Sequence, residues 1–255
     1  MKILIILIFI ISSVSSGVLD KKGKIQISWG WNKSIYTQSD IHFTGANYDY
    51  TLYGVKASDR QTPFGWIYLR EQTIPQYNLR IEYFIDDHQA ISFNVDHMKY
   101  VMDRPQVANI DGLDHLGKQH TNDNIELLGF LALEHTDGLN YINVAYNYFY
   151  PLWEDNTHQH AISIFAGGGV GILVPRSNIT LEGYEDTKDE FKLVGYGLDL
   201  QSGLQIDLYN DFFIRGEVKG GYINMPNIST SIQSQDKASQ SFGFFEYSIA
   251  FGYRF

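Results

Sequence analysis

Hydrophobic and polar residues alternate along most of the chain, which is the pattern of β-strands whose two faces meet different surroundings. Residues 241–255 show this alternation best. One face is apolar and carries Phe245, Tyr247, Ile249, Phe251, Tyr253 and Phe255. The other face carries Phe244, Glu246, Ser248, Ala250, Gly252 and Arg254. A strand about ten residues long, with an apolar face that ends in aromatic residues, suits a membrane-spanning barrel.

Segments with this period of two recur along the chain and predict an all-β fold. They are residues 24–36, 48–55, 78–85, 90–101, 125–134, 140–150, 160–174, 191–206, 212–225 and 241–255. We expect a transmembrane antiparallel up-and-down β-barrel of about ten strands, within a range of about eight to twelve, because such barrels have even strand numbers.

The connections between these segments are polar. Residues 37–47 and 102–123 are predicted to be loops, and residues 137–138, Asp-Gly, a two-residue hairpin turn. Residues 56–77 show no clear pattern beyond a short strand at 66–69. Counting strands back from a periplasmic C-terminus places the Asp-Gly turn outside and the 102–123 loop inside, the reverse of the usual arrangement. One strand in the first half is therefore missing or misplaced in this assignment.

The final strand, with phenylalanine as its last residue, resembles the terminal strand of Gram-negative outer-membrane β-barrel proteins. In that class a C-terminal aromatic residue belongs to the signal that the barrel assembly machinery reads. The resemblance implies that Phe251, Tyr253 and Phe255 form such a signal. It also implies an outer-membrane location, with membrane lipid, lipopolysaccharide and the assembly machinery as partners. It names a class of protein, not a function.

The N-terminus has the layout of a secretory signal peptide, with a positive start, an apolar run at residues 3–11 and a tail of small residues. We assign residues 1–16 to this leader and residues 17–255 to a single barrel domain. No later segment approaches the ~20 apolar residues of a spanning helix. The chain has no cysteine, which excludes disulfides, a thiolate nucleophile and cysteine-bound metal. A net charge of −10 argues against nucleic acid as a partner, and nothing in the sequence indicates a cofactor.

A soluble exported barrel or sandwich would show the same alternation with its faces reversed. Its apolar face would be the interior, and its charged face would lie in solvent. The residues exposed in that case would be Arg80, Glu82, Arg215, Glu217 and Lys219. The aromatic-ended C-terminal strand and the length of several strands favour the membrane barrel.

In a membrane barrel the polar faces meet in the lumen. The predicted lumen residues are Arg80, Glu82, Asp96, Glu126, Glu134, Asp199, Arg215, Glu217, Lys219, Glu246 and Arg254. Charges in a narrow barrel must pair or keep water. They could form an ion-paired plug or line a narrow polar channel. The plug is favoured because the two signs largely neutralise each other.

Two carboxylate–histidine neighbours, Asp96-His97 and Glu134-His135, provide the alternative of an outer-membrane hydrolase. They loosely resemble the catalytic residues of omptin-type proteases and of lipid A deacylases. Adjacent strand residues point to opposite faces, however, which separates each histidine from its neighbouring carboxylate and leaves it at the rim or facing lipid. His158 and His160 share a face, but the sequence offers no third metal ligand. We therefore expect a non-enzymatic envelope, surface or narrow porin-like protein, with the hydrolase as the alternative.

Overall fold

A computed structural model describes residues 20–60, 76–183 and 190–255. The predicted leader, residues 1–16, and the strand predicted at 66–69 lie outside the described residues. Across the described ranges the fold is all-β with antiparallel pairing, and one 3-10 helix, Tyr209–Asp211, has three residues. No helix in these ranges is long and apolar enough to cross a membrane.

Fourteen strands occur in the described ranges, and we number them in chain order. They are β1 Ile25–Tyr36, β2 Ser39–Thr44, β3 Asp49–Val55, β4 Ala57–Ser58, β5 Tyr77–Phe84, β6 Gln89–Met102, β7 Val107–Leu113, β8 Gln119–Glu126, β9 Leu131–Glu154, β10 Ala161–Leu173, β11 Asn178–Leu181, β12 Gly195–Asp207, β13 Phe212–Ser229 and β14 Lys237–Arg254. Eight of them pair in the order β1, β5, β6, β9, β10, β12, β13 and β14, and β14 pairs in turn with β1. We call these eight strands the ring.

The pairing of β1 with β14 joins the first and last strands of the ring. It runs antiparallel from Gln26 opposite Arg254 to Tyr36 opposite Phe244. The ladder continues to the last residue, because the Phe255 N–H donates to the Ile25 carbonyl at 2.7 Å. Phe255 is therefore part of the ladder that joins β1 to β14.

Strands β2, β3, β7 and β8 form a second paired group, which we call the side sheet. It is joined to the ring by β2, which pairs with the first residues of β14. The segments 37–47 and 102–123, predicted to be loops, thus contain three strands. In β2 the alternate residues Ile41 and Phe43 are fully buried, while Asp40 and His42, on the opposite face, are exposed. The period of two is present in these segments, but they are short and rich in polar residues, so the pattern is hard to recognise in the sequence.

The hairpin turn predicted at residues 137–138 is wrong, because β9 runs through it without interruption. On both sides of Gly138 the chain stays paired with β6, with His97 opposite Asn140 and Tyr100 opposite His135. An Asp-Gly pair makes a tight turn only when its two flanking strands pair with each other. Here the glycine, at a φ of 131°, accompanies a shift in register between Met98 and Tyr100.

Removing that turn also corrects the predicted sidedness of the connections. The short connections, residues 85–88, 155–160 and 208–211, all lie at the end of the ring where the chain terminates. The described parts of the longer connections, which contain the side sheet, β4 and β11, lie at the opposite end. The 102–123 segment is therefore on the same side as the other long connections.

The outer face of the ring is apolar and exposed on all eight strands. One exposed residue from each is Trp29, Ile81, Phe93, Val144, Val170, Leu198, Val218 and Ile249. The charged residues of the opposite face, including Arg80, Glu82 and Arg215, are buried at 2% exposure or less. The alternative of a soluble barrel with an apolar interior and exposed charges is therefore wrong for this part of the fold.

Along the same strands the inner face changes from charged to apolar towards the long connections. On β13, Arg215 and Lys219 are followed by Ile223 and Met225, both fully buried. These residues belong to a core that lies between the side sheet and the half of the ring nearer the long connections. Members of this core include Ile41, Phe43, Leu52, Met98, Ile110, Leu133, Leu139, Ile223, Met225 and Phe242. We call it the upper core.

Inward-facing glycines make room for large side chains inside the ring. Gly252 lies opposite Phe213, and a Cβ added there would overlap the phenylalanine ring. Gly216 is on the outer face, where an added Cβ would meet nothing within 4 Å. Gly252→Ala is therefore expected to lower the free energy of unfolding by about 1–3 kcal/mol through overpacking. Gly216→Ala should change it by less than about 0.5 kcal/mol.

Urea unfolding of each variant in detergent micelles, followed by tryptophan fluorescence, measures this difference. Equal losses in the two variants would show that the space around Phe213 is not tightly filled.

Candidate functional site

Charged side chains fill the inner face of the ring in the half nearer the chain termini. They are all at most 5% exposed: Lys21, Arg80, Glu82, Asp96, Asp199, Asp207, Arg215, Glu217, Lys219, Glu246 and Arg254. We call this set the interior cluster. Alternation along the strands predicted the position of all of them except Lys21 and Asp207. Lys21 lies before the first strand, and Asp207 is the last residue of β12, so a strand pattern marks neither of them strongly.

Asp96 is the centre of the largest group of ion pairs. Its Oδ1 is 2.5 Å from Nη1 of Arg80, and its Oδ2 is 2.6 Å from Nζ of Lys219. Asn78 donates to the same carboxylate at 2.5 Å. Arg80 also contacts Glu217, with Nη2 2.7 Å from Oε1. Two cations and two carboxylates therefore neutralise one another where water is scarce, which is the condition for stable burial of charge.

A second group forms around Glu82 and Arg215. The two side chains are 2.6 Å apart, and Arg215 also donates to Oε1 of Gln205 at 2.7 Å. Gln26 and Asn147 donate to Glu82 at 2.7 and 3.0 Å. The guanidinium lies over aromatic rings, with its carbon 4.7 Å from the centroid of Phe165 and 5.5 Å from those of Phe149 and Phe213. Cation–π contacts and one ion pair thus hold this group together.

Lys21 closes the end of the ring at the chain termini. Its Nζ is 3.7 Å from Oδ2 of Asp207 and 5.0 Å from the centroid of the Phe149 ring. Asp207 is also paired with Arg254. The N–H groups of Lys21 and Lys22 both donate to Oδ1 of Asp87 at 2.9 Å. The segment before β1 is therefore fastened across this end.

Two carboxylates of the interior cluster lack an ion pair in the described part of the chain. Glu246 accepts a hydrogen bond from Asn78 at 2.8 Å, and Asp199 accepts one from the Tyr141 hydroxyl at 2.8 Å. The cluster contains five cations and six carboxylates, so one negative charge has no counterpart within it. Glu246 and Asp199 are the places where that imbalance falls.

Of the other residues predicted for the lumen, Glu126 and Glu134 lie outside the interior cluster. Glu126 is exposed at the end of β8, and Glu134 is 24% exposed and 3.4 Å from Arg60. Both were assigned to the lumen from a single strand predicted at residues 125–134, whereas β8 ends at Glu126 and β9 begins at Leu131. Their alternation in the sequence therefore did not indicate which face of the ring they would occupy. The residue of β9 that lies opposite Asp96 is Tyr141, so Glu134 is not beside Asp96.

The structure does not bring the four candidate catalytic residues into one cluster. Glu134 lies opposite Val101, five positions along β6 from Asp96. His97 stacks on Tyr77, with ring centroids 5.0 Å apart. His135 accepts from or donates to the Ser177 hydroxyl at 2.8 Å.

Both histidines are buried, not at a rim. His97 is 2% exposed and His135 is 0% exposed. Every residue of β6 from Asp96 to Met102 is buried, so both faces of the strand are covered at this end. Ser177, the hydroxyl partner of His135, is 7% exposed. A serine–histidine pair buried to this degree is poorly placed to meet a substrate.

The arrangement of the interior cluster is suited to structure more than to chemistry. Most of its charged groups are engaged by an opposite charge, so they are not free to take up or release protons in a reaction. Among the residues described, no three His, Asp or Glu side chains are arranged as metal ligands. A groove of about 810 Å³ lies on the outer face, at Leu200 and the outward-facing glycines Gly168 and Gly220 beside it. It is lined mainly by apolar residues, together with Asp199 of the interior cluster.

No family model matches the chain, and no curated protein matches it. Solved structures with a related arrangement of strands include the outer membrane protein OprG from Pseudomonas aeruginosa, with a TM-score of 0.42 and 13% identity over 94% of this chain and 99% of that one. The attachment invasion locus protein Ail of Yersinia pestis has a TM-score of 0.37 and 14% identity over 92% and 99% of the two chains. Neisserial surface protein A has a TM-score of 0.34 and 6% identity over 88% and 96%. Because these TM-scores are below 0.5, we base our proposals on the contacts of this chain alone.

The two kinds of interior carboxylate should respond differently to loss of charge. Asp96→Asn removes the closest carboxylate to both Arg80 and Lys219 and leaves Glu217 to face the two cations alone, so it is expected to lower the free energy of unfolding by about 3–5 kcal/mol. Glu246→Gln removes an uncompensated buried charge and keeps a side chain that bonds Asn78, so it should be neutral or stabilising. Urea unfolding in micelles at neutral pH compares them. A similar loss in both variants would mean that Glu246 has a cationic partner in solution.

Proposed function

We propose that the ring is a closed eight-stranded barrel that spans the outer membrane. The register supports closure. Starting from Ile27 and passing once around the ring leads back to Thr37, the residue after β1, a stagger of ten residues. The positions passed are Ile81, Phe93, Val144, Val170, Leu198, Tyr222 and Gly243. A regular stagger of this kind tilts the strands, as closing a sheet into a barrel requires.

The exposed apolar face supports a location in lipid. It extends over every strand of the ring, whereas soluble proteins rarely expose continuous apolar surface on this scale. Tyr83, Tyr150 and Phe255 lie towards the chain termini, and Tyr196 and Tyr222 towards the long connections. Aromatic residues at both ends of an apolar band are typical of outer-membrane barrels. Membrane lipid and lipopolysaccharide are the partners that this surface would contact.

The lengths of the connections support one orientation. The short turns would face the periplasm, and the long connections with the side sheet would face the outside. Export would use the leader at residues 1–16. Phe251, Tyr253 and Phe255 would serve as the assembly signal, since the final strand carries them next to the closing pairing with β1.

The single observation that carries our functional proposal is the filled interior. Ion pairs and rings occupy the half near the periplasm, and the upper core occupies the half towards the outside. Water and ions would have to cross both layers, and the upper core is apolar. We therefore propose a non-conducting, non-enzymatic surface protein whose barrel anchors a folded outer region to the cell envelope. A narrow porin would need a continuous polar path through the upper core.

Bilayer recordings distinguish a sealed barrel from a porin. The full mature protein, folded in detergent and inserted into planar bilayers, is expected to show no steady conductance steps in concentrated potassium chloride. A heat-dependent shift in gel mobility would verify that the inserted protein is folded. A general porin prepared in the same way provides the positive control. Reproducible steps whose ion selectivity changes in Lys219→Gln would establish a continuous lumen and overturn the proposal.

The absence of cysteine allows the proposed orientation to be tested with single introduced thiols. Thr121, on β8, and Gln159, in a short turn, are both exposed. We expect Thr121→Cys to react in intact cells with a maleimide that cannot cross membranes. Gln159→Cys should react only after the outer membrane is permeabilised. Labelling of Gln159→Cys alone in intact cells would reverse the orientation, and labelling of both would argue against a membrane-spanning ring.

A further inference from the structure

The hairpin formed by β7 and β8 is closed by a histidine that lies between two carboxylates. His120 is 2% exposed. Its Nε2 is 2.8 Å from Oδ2 of Asp114, and its Nδ1 is 3.0 Å from Oδ2 of Asp123. Asp123 is at the surface, with 49% of its side chain exposed, whereas Asp114 is buried. One imidazole thus connects the turn of the hairpin to its second strand.

Asp114 also holds the turn itself. Its Oδ1 accepts the N–H groups of Leu116 at 2.9 Å and Lys118 at 2.8 Å. Its own N–H donates to the Lys118 carbonyl at 2.9 Å. Burial works to raise the pKa of Asp114, but hydrogen bonds from His120, Lys118 and Leu116 outweigh it and leave this pKa below its usual value. Asp114 therefore stays an ionised acceptor at the pH values where histidine titrates.

The chemistry of imidazole makes this arrangement sensitive to protonation. A neutral ring has one N–H donor and one acceptor nitrogen, whereas the charged ring has two donors. An ionised carboxylate can only accept. The neutral ring can therefore satisfy one of the two aspartates, and only the charged ring can donate to both. Histidine is the side chain that ordinarily changes charge between about pH 5 and 8.

We propose that the β7–β8 hairpin is an acid-strengthened clip, in which a proton on His120 ties Asp114 and Asp123 together. In the closed hairpin a carboxylate oxygen lies within 3.0 Å of each ring nitrogen, and only the charged ring can donate to both. Closure is thus favoured as pH falls through the histidine range and is lost again only when the aspartates are protonated. The inference depends only on contacts within the hairpin and does not require the strands to span a membrane.

Other titratable groups on the packed elements do not supply this response. His115 is next to Asp114 in the chain, but burial lowers its pKa, against the opposing effect of Asp114 and Glu182, so it favours the neutral ring. It is held at 3.1 Å from the Tyr50 hydroxyl of β3. The remaining charged groups on these elements are Lys118 in the turn, Asp111 on β7, Glu126 on β8 and Asp49 at the start of β3.

Hydrogen exchange of the folded full-length protein at about pH 5.5 and about pH 7.5 tests the clip, after correction for intrinsic exchange rates. In the wild type the amide hydrogen bonds of the hairpin should open roughly fivefold less often at the lower pH, because one neutral hydrogen bond becomes charge-assisted. His120→Gln should remove this difference, and Asp123→Asn should reduce it. His42→Gln, which removes an exposed His42–Asp49 contact from the neighbouring β2–β3 hairpin, is the matched control and should keep it.

An equal opening frequency at both pH values in the wild type, or a difference that persists in His120→Gln, would overturn the proposal. Nitrogen chemical shifts of the His120 ring provide a measurement that needs no variant. We expect them to move from a single neutral tautomer to the doubly protonated ring as pH falls through the histidine range. A ring that stays neutral to about pH 5 would also overturn it.

Discussion

Pairing of every backbone N–H and C=O is the constraint on which this fold depends. A strand in apolar surroundings has no water nearby to hydrogen-bond the N–H and C=O groups of an unpaired edge. The β1–β14 ladder meets this requirement by joining the ends of the chain. The ladder between β1 and β5 ends at Gly30, opposite Asn78, while β1 stays paired with β14 on its other side as far as Tyr36. There the Asp59 carboxylate accepts the Ser34 N–H at 2.8 Å, and Gln76 donates to the same carboxylate at 2.7 Å. A side-chain carboxylate thus accepts a backbone N–H of β1 beyond the end of its ladder with β5.

The ring buries charged side chains in one half of its interior and apolar side chains in the other half. Near the chain termini it is apolar outside and charged inside, while towards the long connections its interior becomes an ordinary apolar core. The change occurs within single strands, such as β14, where Glu246 is followed towards the long connections by Phe244 and Phe242. The side sheet makes this change possible, because Ile41 and Phe43 supply the apolar partners that the upper strands need.

Burial of charge determines how closely the side chains must pack in the half of the ring that holds the interior cluster. Arg80, Asp96 and Lys219 are stable inside only because each reaches an opposite charge within 2.6 Å. Such short distances leave little room for change, and the inward-facing glycines provide the space that the rings need. The same requirement explains why the interior resembles a structural plug. Groups that neutralise one another cannot also serve as free acids, bases or ion ligands.

The sequence by itself determined the two faces of the strands. Alternation is a local property, so Arg80, Arg215 and Lys219 could be assigned to one face and Phe251 to the other without knowing any partner. Only the tertiary structure decided that β9 continues through Gly138, that residues 37–47 join a side sheet, and that Lys21 reaches Asp207. These features depend on the register of strands far apart in the chain. A period of two says which residues share a face, but not what covers that face.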